Sequence, residues 1–205
     1  MKRSVILSVA AALLLLSCGK DKDDSNPLPG TTWSGHLSYL VTPYDLPEPF
    51  SLSFTSADSL ILELKDRQLP GSYQYKSSGS KLELKLKGYD QLVTATLKND
   101  SLTGFSTAAD MNLRLVDAQR FTGLSKPLAG SKWSGNVNIN FISATTLAWG
   151  TAANSPQSAY TLKGNVLRFK RNNGTDGSFG VFFGKRLDGC EWFGGNVDLW
   201  VAFGN

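Results

Sequence analysis

The chain reads as all-β, built as two tandem antiparallel β-meander units, and three observations predict this. Four blocks of sequence recur in the same order. Leu28-Pro29-Gly30-Thr31-Thr32-Trp33-Ser34-Gly35 returns as Leu128-Ala129-Gly130-Ser131-Lys132-Trp133-Ser134-Gly135. Phe54 to Leu62 returns as Phe141 to Trp149, Tyr75 to Lys85 as Tyr160 to Lys170, and Leu102-Thr103-Gly104 as Leu187-Asp188-Gly189. Apolar and polar residues alternate with period two, as in Lys81-Leu82-Glu83-Leu84-Lys85-Leu86-Lys87, which puts the leucines on one face. Short turn sequences such as Ser77-Ser78-Gly79-Ser80 and Lys98-Asn99-Asp100-Ser101 separate the runs. Connections that short favour antiparallel neighbours over parallel crossovers.

Taken in order, residues 1–17 read as a signal peptide. Lys2 and Arg3 precede an apolar run from Val5 to Leu16, which is too short to span a bilayer as a mature helix. The run ends in Leu15-Leu16-Ser17-Cys18, which resembles the lipobox of bacterial lipoproteins. That resemblance implies cleavage before Cys18 and a diacylglycerol on its thiol. Residues 18–29 carry almost nothing apolar to pack and read as a lipidated, flexible tether. Lys20 followed by Asp21, Asp23 and Asp24 is similar to the surface-export signal of Bacteroidota lipoproteins. Gly19 stands where an inner-membrane retention signal would have Asp. The two resemblances imply an outer-membrane protein, lipid-anchored, and the first implies the cell surface.

The first β unit spans 30–121 and the second 128–205, joined by Thr122 to Pro127. Equivalent residues lie 100 positions apart at Trp33 and Trp133 but 85 apart at Tyr75 and Tyr160. The first unit therefore holds an extra segment near 37–50, expected as an added strand or lid. Each unit must bury one apolar face, by curling into a small barrel or by pairing sheets into a sandwich. Gly30-Thr31-Thr32-Trp33-Ser34-Gly35 resembles the first strand of lipocalin-like small-barrel domains among Bacteroidota lipoproteins, in which the Trp plugs one barrel end.

Composition narrows the function. The formal charge of +4 falls to +2 once Lys2 and Arg3 leave with the signal, and no basic run interleaves with aromatics, so a nucleic-acid partner is not expected. His36 is the single histidine and reads as a surface or capping residue; with no metal-ligand spacing and no nucleophile context, no metal, cofactor or enzyme activity is expected. Lipidation of Cys18 leaves Cys190 as a buried, inert thiol.

Trp33, Trp133, Tyr75, Tyr160 and Trp149 read as core. Trp192 aligns near Thr107 and Trp200 with Arg114, positions that are polar in the first unit. Both tryptophans read either as an outward stacking platform or as packing between the units. Residues 126–205 carry eight Lys and Arg against four Asp and Glu. Trp192 and Trp200 beside Arg168 and Lys170 would suit an anionic glycan or lipid headgroup. Three functions stay open: a noncatalytic module binding a glycan or protein, a lipocalin-like carrier of a lipid or small hydrophobe, and a structural factor of an envelope complex.

Overall fold

Alternating strands expose a row of backbone donors and acceptors at each sheet edge, and closing the sheet on itself removes both edges. The computed structural model describes residues 27–39, 47–65, 73–85, 92–106, 113–171, 177–193 and 196–204. Cys18, the signal segment and the tether as far as Asn26 lie outside the described residues, and Trp192 is described by its backbone alone. Among the described residues there is no helix.

The first unit comprises β1 (Thr32–Tyr39), β2 (Glu48–Phe54), β3 (Ser59–Glu63), β4 (Tyr73–Ser78), β5 (Lys81–Lys85), β6 (Leu92–Lys98), β7 (Ser101–Thr103) and β8 (Leu113–Phe121). The second comprises β9 (Lys132–Gly135), β10 (Asn138–Phe141), β11 (Thr146–Trp149), β12 (Gln157–Lys163), β13 (Val166–Lys170), β14 (Gly177–Phe183), β15 (Arg186–Phe193) and β16 (Asn196–Gly204). Each set pairs antiparallel in chain order and closes, β8 back on β1 and β16 back on β9. The outcome is two separate eight-stranded barrels, not one shared sandwich. Eight strands leave an interior that side chains just fill.

Among the described residues the extra length in the first unit adds no strand. β1 and β2 run 8 and 7 residues where β9 and β10 run 4 each, so the excess lengthens a hairpin's arms. Residues 40–46 between those arms lie outside the described residues.

One end of each barrel is sealed the same way. Trp33 is buried with its Nε1 donating to Thr31 Oγ1 at 2.8 Å, and Trp133 donates to Ser131 Oγ at 3.0 Å. Trp33 meets Phe54 edge-on at 6.4 Å and Trp133 meets Phe141 at 6.4 Å. Phe54 in turn meets Tyr75, and Phe141 meets Tyr160, whose hydroxyls donate to the carbonyls of Ser56 and Ser143. Every indole N–H and phenol O–H of this latch is satisfied where burial would otherwise penalise it.

The barrels pack side by side. Phe179, Val181 and Cys190 point outward from the second barrel, yet are buried, because β14 lies against β1, β2 and β8, and β15 against β2. A hydrogen-bonded relay crosses this seam. Ser51 Oγ donates to Asn165 Oδ1 at 2.6 Å, Asn165 Nδ2 donates to Ser34 Oγ at 2.6 Å, and Ser34 Oγ donates to the Phe182 carbonyl at 2.5 Å. All three side chains are fully buried, so the relay answers its own desolvation.

The same contacts fix direction. Asn165 sits in the β12–β13 turn at the sealed end of the second barrel and meets Ser34 near the sealed end of the first. Arg168, further along β13, donates to the carbonyls of Leu64 and Lys65 beyond the far end of β3. Both barrels therefore point the same way. The chain enters at Thr32, whose partner is Phe121, and the linker leaves from Phe121, so tether and linker share the sealed end.

Candidate functional site

Of the residues singled out from sequence, Trp200 is corrected first. It points into the second barrel, is buried, and belongs to its core. Leu199 and Val201, not Trp200, take the outward face. Two glycines make its room: a Cβ at Gly189 would overlap the indole, and one at Gly180 would come within 2.8 Å of its Cη2. The alignment with Arg114 misled because β8 shifts register against β1 between His36 and Leu37, so that Leu115 pairs with Leu37 and turns inward. Pairing of Gly35 with Ala118 and of Gly135 with Ala202 shows the true equivalence.

Arg168 is corrected as well. Its guanidinium lies 4.7 Å from the Phe179 ring and donates to Leu64 and Lys65 carbonyls at 3.0 and 3.2 Å. The residue is half-buried and its guanidinium is engaged across the seam. Lys170 is exposed at the end of β13, as a surface reading requires. Trp192 pairs with Val197 in the sheet, and its side chain lies outside the described residues.

His36 also belongs to the seam rather than to a free surface. Its ring stacks on Phe183 at 4.7 Å and 8°. Nε2 lies 2.8 Å from Asp188 Oδ2 of the second barrel, and Nδ1 lies 3.4 Å from Asp117 Oδ1 of the first. Burial acts to lower the His36 pKa, but the hydrogen bond and charge of Asp188, aided by Asp117, outweigh it and hold the ring above its ordinary 6.5. Burial acts to raise Asp188, and its bonds to His36 and Arg186 bring it below the ordinary carboxylate value. Asp58, in the turn between β2 and β3, accepts from the Ser56 and Ser59 hydroxyls.

What the structure brings together lies at the open end of the second barrel, remote from Trp133. Trp149 ends β11 half-buried, against Phe169 at 5.4 Å and edge-on to Trp200 at 5.3 Å. Arg171, just past β13, lays its guanidinium 4.7 Å from the Trp149 ring. The same guanidinium pairs with Glu191 Oε1, while Ser178 Oγ donates to Glu191 Oε2 at 3.0 Å. Asp198, exposed, stands opposite Glu191 on β16.

The mouth thus offers one aromatic plane, one cation clamped to it, and two carboxylates. The sequence carries a signal for Arg171 and Glu191. Arg171 continues the inward phase of Leu167 and Phe169, and Glu191 that of Leu187 and Gly189. A charged residue in an inward phase at a strand end marks a barrel mouth.

The chain matches no protein-family model, no curated protein and no solved structure.

Proposed function

We propose that the chain is a noncatalytic binding module of the outer membrane, held by lipid on Cys18, that takes a hydroxyl-rich glycan at the mouth of its second barrel. The observation that carries the reading is the Trp149–Arg171–Glu191 cluster at the end remote from the tether. An aromatic plane receives the apolar face of a sugar ring, and fixed polar groups around it read the hydroxyls. The mixed charge of Lys170, Arg171, Glu191 and Asp198 suits a neutral glycan better than the anionic one expected from net charge. Both Glu191 oxygens are engaged, by Arg171 and Ser178, which favours holding a site in shape over proton transfer.

The rings of Trp33, Phe54 and Tyr75, and of Trp133, Phe141, Phe182 and Trp200, occupy the barrel interiors. That packing favours a ligand at the rim over a lipid carried inside. Anchoring rests on the lipobox-like Leu15 to Cys18 and the polar tether, and the sealed end receives that tether, which leaves the mouth facing outward.

The site is tested by Trp149→Leu, which installs the residue of the first barrel's equivalent position, Leu62, and by Arg171→Gln. On a glycan array and in titrations of its best hit, each should weaken binding about ten-fold, the scale of one stacking or charge-assisted contact. Unchanged binding in both would refute the mouth as the site. Palmitate labelling that Cys18→Ala abolishes is the expected result for the anchor, and a wild-type chain that never labels would refute it.

A further inference from the structure

A second feature lies at the sealed end of the second barrel. The linker and the start of β9 enclose a groove of about 510 Å³ that reaches Gly184, Lys185 and Gly204. Its cations are Lys126, Lys132 and Lys185, all exposed, and no Asp or Glu lines it. Leu124, Pro127 and Trp133 supply an apolar wall. Phe203, 49% exposed, stands beside it on β16, paired with Ser134 and Arg186. A large ring held in water next to three uncompensated ammonium groups is the chemistry of a membrane interface, where an aromatic enters the headgroup layer and lysines meet phosphate.

Position selects the occupant. Thr32, where the tether joins the first barrel, pairs with Phe121, and the groove begins at Leu124. One strand spacing and three extended residues put groove and tether within about 15 Å of each other. The nine residue steps from Cys18 to Pro27 span at most about 32 Å. A chain anchored at Cys18 therefore carries its lysine groove toward the bilayer and its barrel mouths away from it.

We propose that this groove docks on the phosphate-bearing headgroups of the membrane that anchors the chain, with Lys126, Lys132 and Lys185 on phosphate and Phe203 in the interface. The proposal rests on the anchoring part of the function given above and is independent of the glycan mouth. It makes the lipid a second point of attachment, which would fix the orientation of both barrels relative to the membrane.

The test titrates the full chain, in nonionic detergent, with dihexanoyl phosphatidylglycerol, and with dihexanoyl phosphatidylcholine and glycerol 3-phosphate as separate arms. Phosphatidylglycerol should bind at least ten-fold tighter than either, and added salt should weaken it. Each lysine near an anionic surface contributes about five-fold, so Lys126→Glu/Lys132→Glu/Lys185→Glu should abolish the preference, and Phe203→Ser should weaken it several-fold. Should the triple variant misfold, the salt dependence of wild type and the Phe203→Ser loss decide the matter. Equal binding of phosphatidylcholine would overturn the proposal, and glycerol 3-phosphate binding as tightly would reduce the groove to a small-anion site. Palmitate labelling of the same preparation separates the two readings. A labelled chain indifferent to phosphatidylglycerol keeps the anchor and loses the groove, and an unlabelled chain that still prefers it does the reverse.

Discussion

Trp33 and Trp133 do the same work in the two barrels, while Leu115 and Trp200 do not. At the sealed ends even the hydrogen bonds repeat: Gly30 N–H to the Phe54 carbonyl matches Gly130 N–H to Phe141, and Tyr75 N–H to Asp58 matches Tyr160 N–H to Thr145. Above that shared base the copies diverge. Where the first barrel uses Leu62 and Leu115, the second places Trp149 and Trp200, and opens room for Trp200 with Gly180 and Gly189. Their outward strips diverge too. Hydroxyls and His36 line the seam on the first barrel, and Phe179, Val181 and Phe183 line it on the second. The two barrels thus share the element that closes each of them, while their facing strips are complementary, as in a heterologous contact between unlike surfaces.

The largest effect should come from Trp200. Trp200→Ala should cost about 3–5 kcal/mol in denaturant unfolding, and Leu115→Ala in the other barrel about 2–5 kcal/mol. The indole Nε1 of Trp200 finds no hydrogen-bond partner among the described residues, unlike those of Trp33 and Trp133. Trp200→Phe should therefore cost less than Trp133→Phe, which also leaves Ser131 without its indole donor. A Trp200→Ala chain that unfolds at the wild-type midpoint would restore the outward reading.

Next in size is the seam. Asn165→Ala removes two bonds of the relay, leaving the buried Ser51 hydroxyl without its acceptor and Ser34 Oγ with only its bond to the Phe182 carbonyl, at about 2 kcal/mol. Because it weakens the contact between barrels and touches neither core, it should lower the coupling of the two barrels and broaden or split the unfolding transition. A single transition shifted by less than about 0.5 kcal/mol would mean that the apolar strip alone holds the barrels together.

The fold was legible because its signals are local. Period-two alternation, turn chemistry and the repeated Gly-x-x-Trp-Ser-Gly blocks each act within a few residues, and together they specify two all-β units. Barrel against sandwich was not legible, since it depends on whether β8 meets β1, a pairing between Thr32 and Phe121 that no local pattern encodes. The site residues failed for a related reason. A single register shift at His36/Leu37 reversed the face assigned to Trp200, because one residue of slip exchanges inside for outside. Arg168 looked like a surface cation because nothing in the sequence shows that the first barrel lies against it through Leu64 and Lys65. Lys170, at a strand end, needed no tertiary partner and was placed correctly on the surface.

The smallest expected effect probes the polar side of the seam by pH. His36 faces Asp117, Phe183 and Asp188, and Asp188 is shared with Arg186 at 2.6 Å. Its pKa in the folded chain is raised above the 6.5 of the free side chain. Folding therefore favours the protonated ring, and that stabilisation is fully present below pH 6.5 and is lost as pH rises through the raised value. Asp188 runs the other way. Its folded pKa lies below 3.8, so its contribution is present above pH 3.8 and is lost as pH falls through the lowered value. The pair should hold the barrels best between about pH 4 and 6.5, and the seam should weaken by about 1 kcal/mol on the alkaline side, the scale of one charge-assisted hydrogen bond. Denaturant melts at pH 5.5 and 8.5 read this directly. His36→Gln keeps a neutral donor and should flatten the difference while leaving the pH 8.5 value near wild type. If the variant keeps the full alkaline loss, another group carries it, and the first barrel's polar strip does not sense pH through His36.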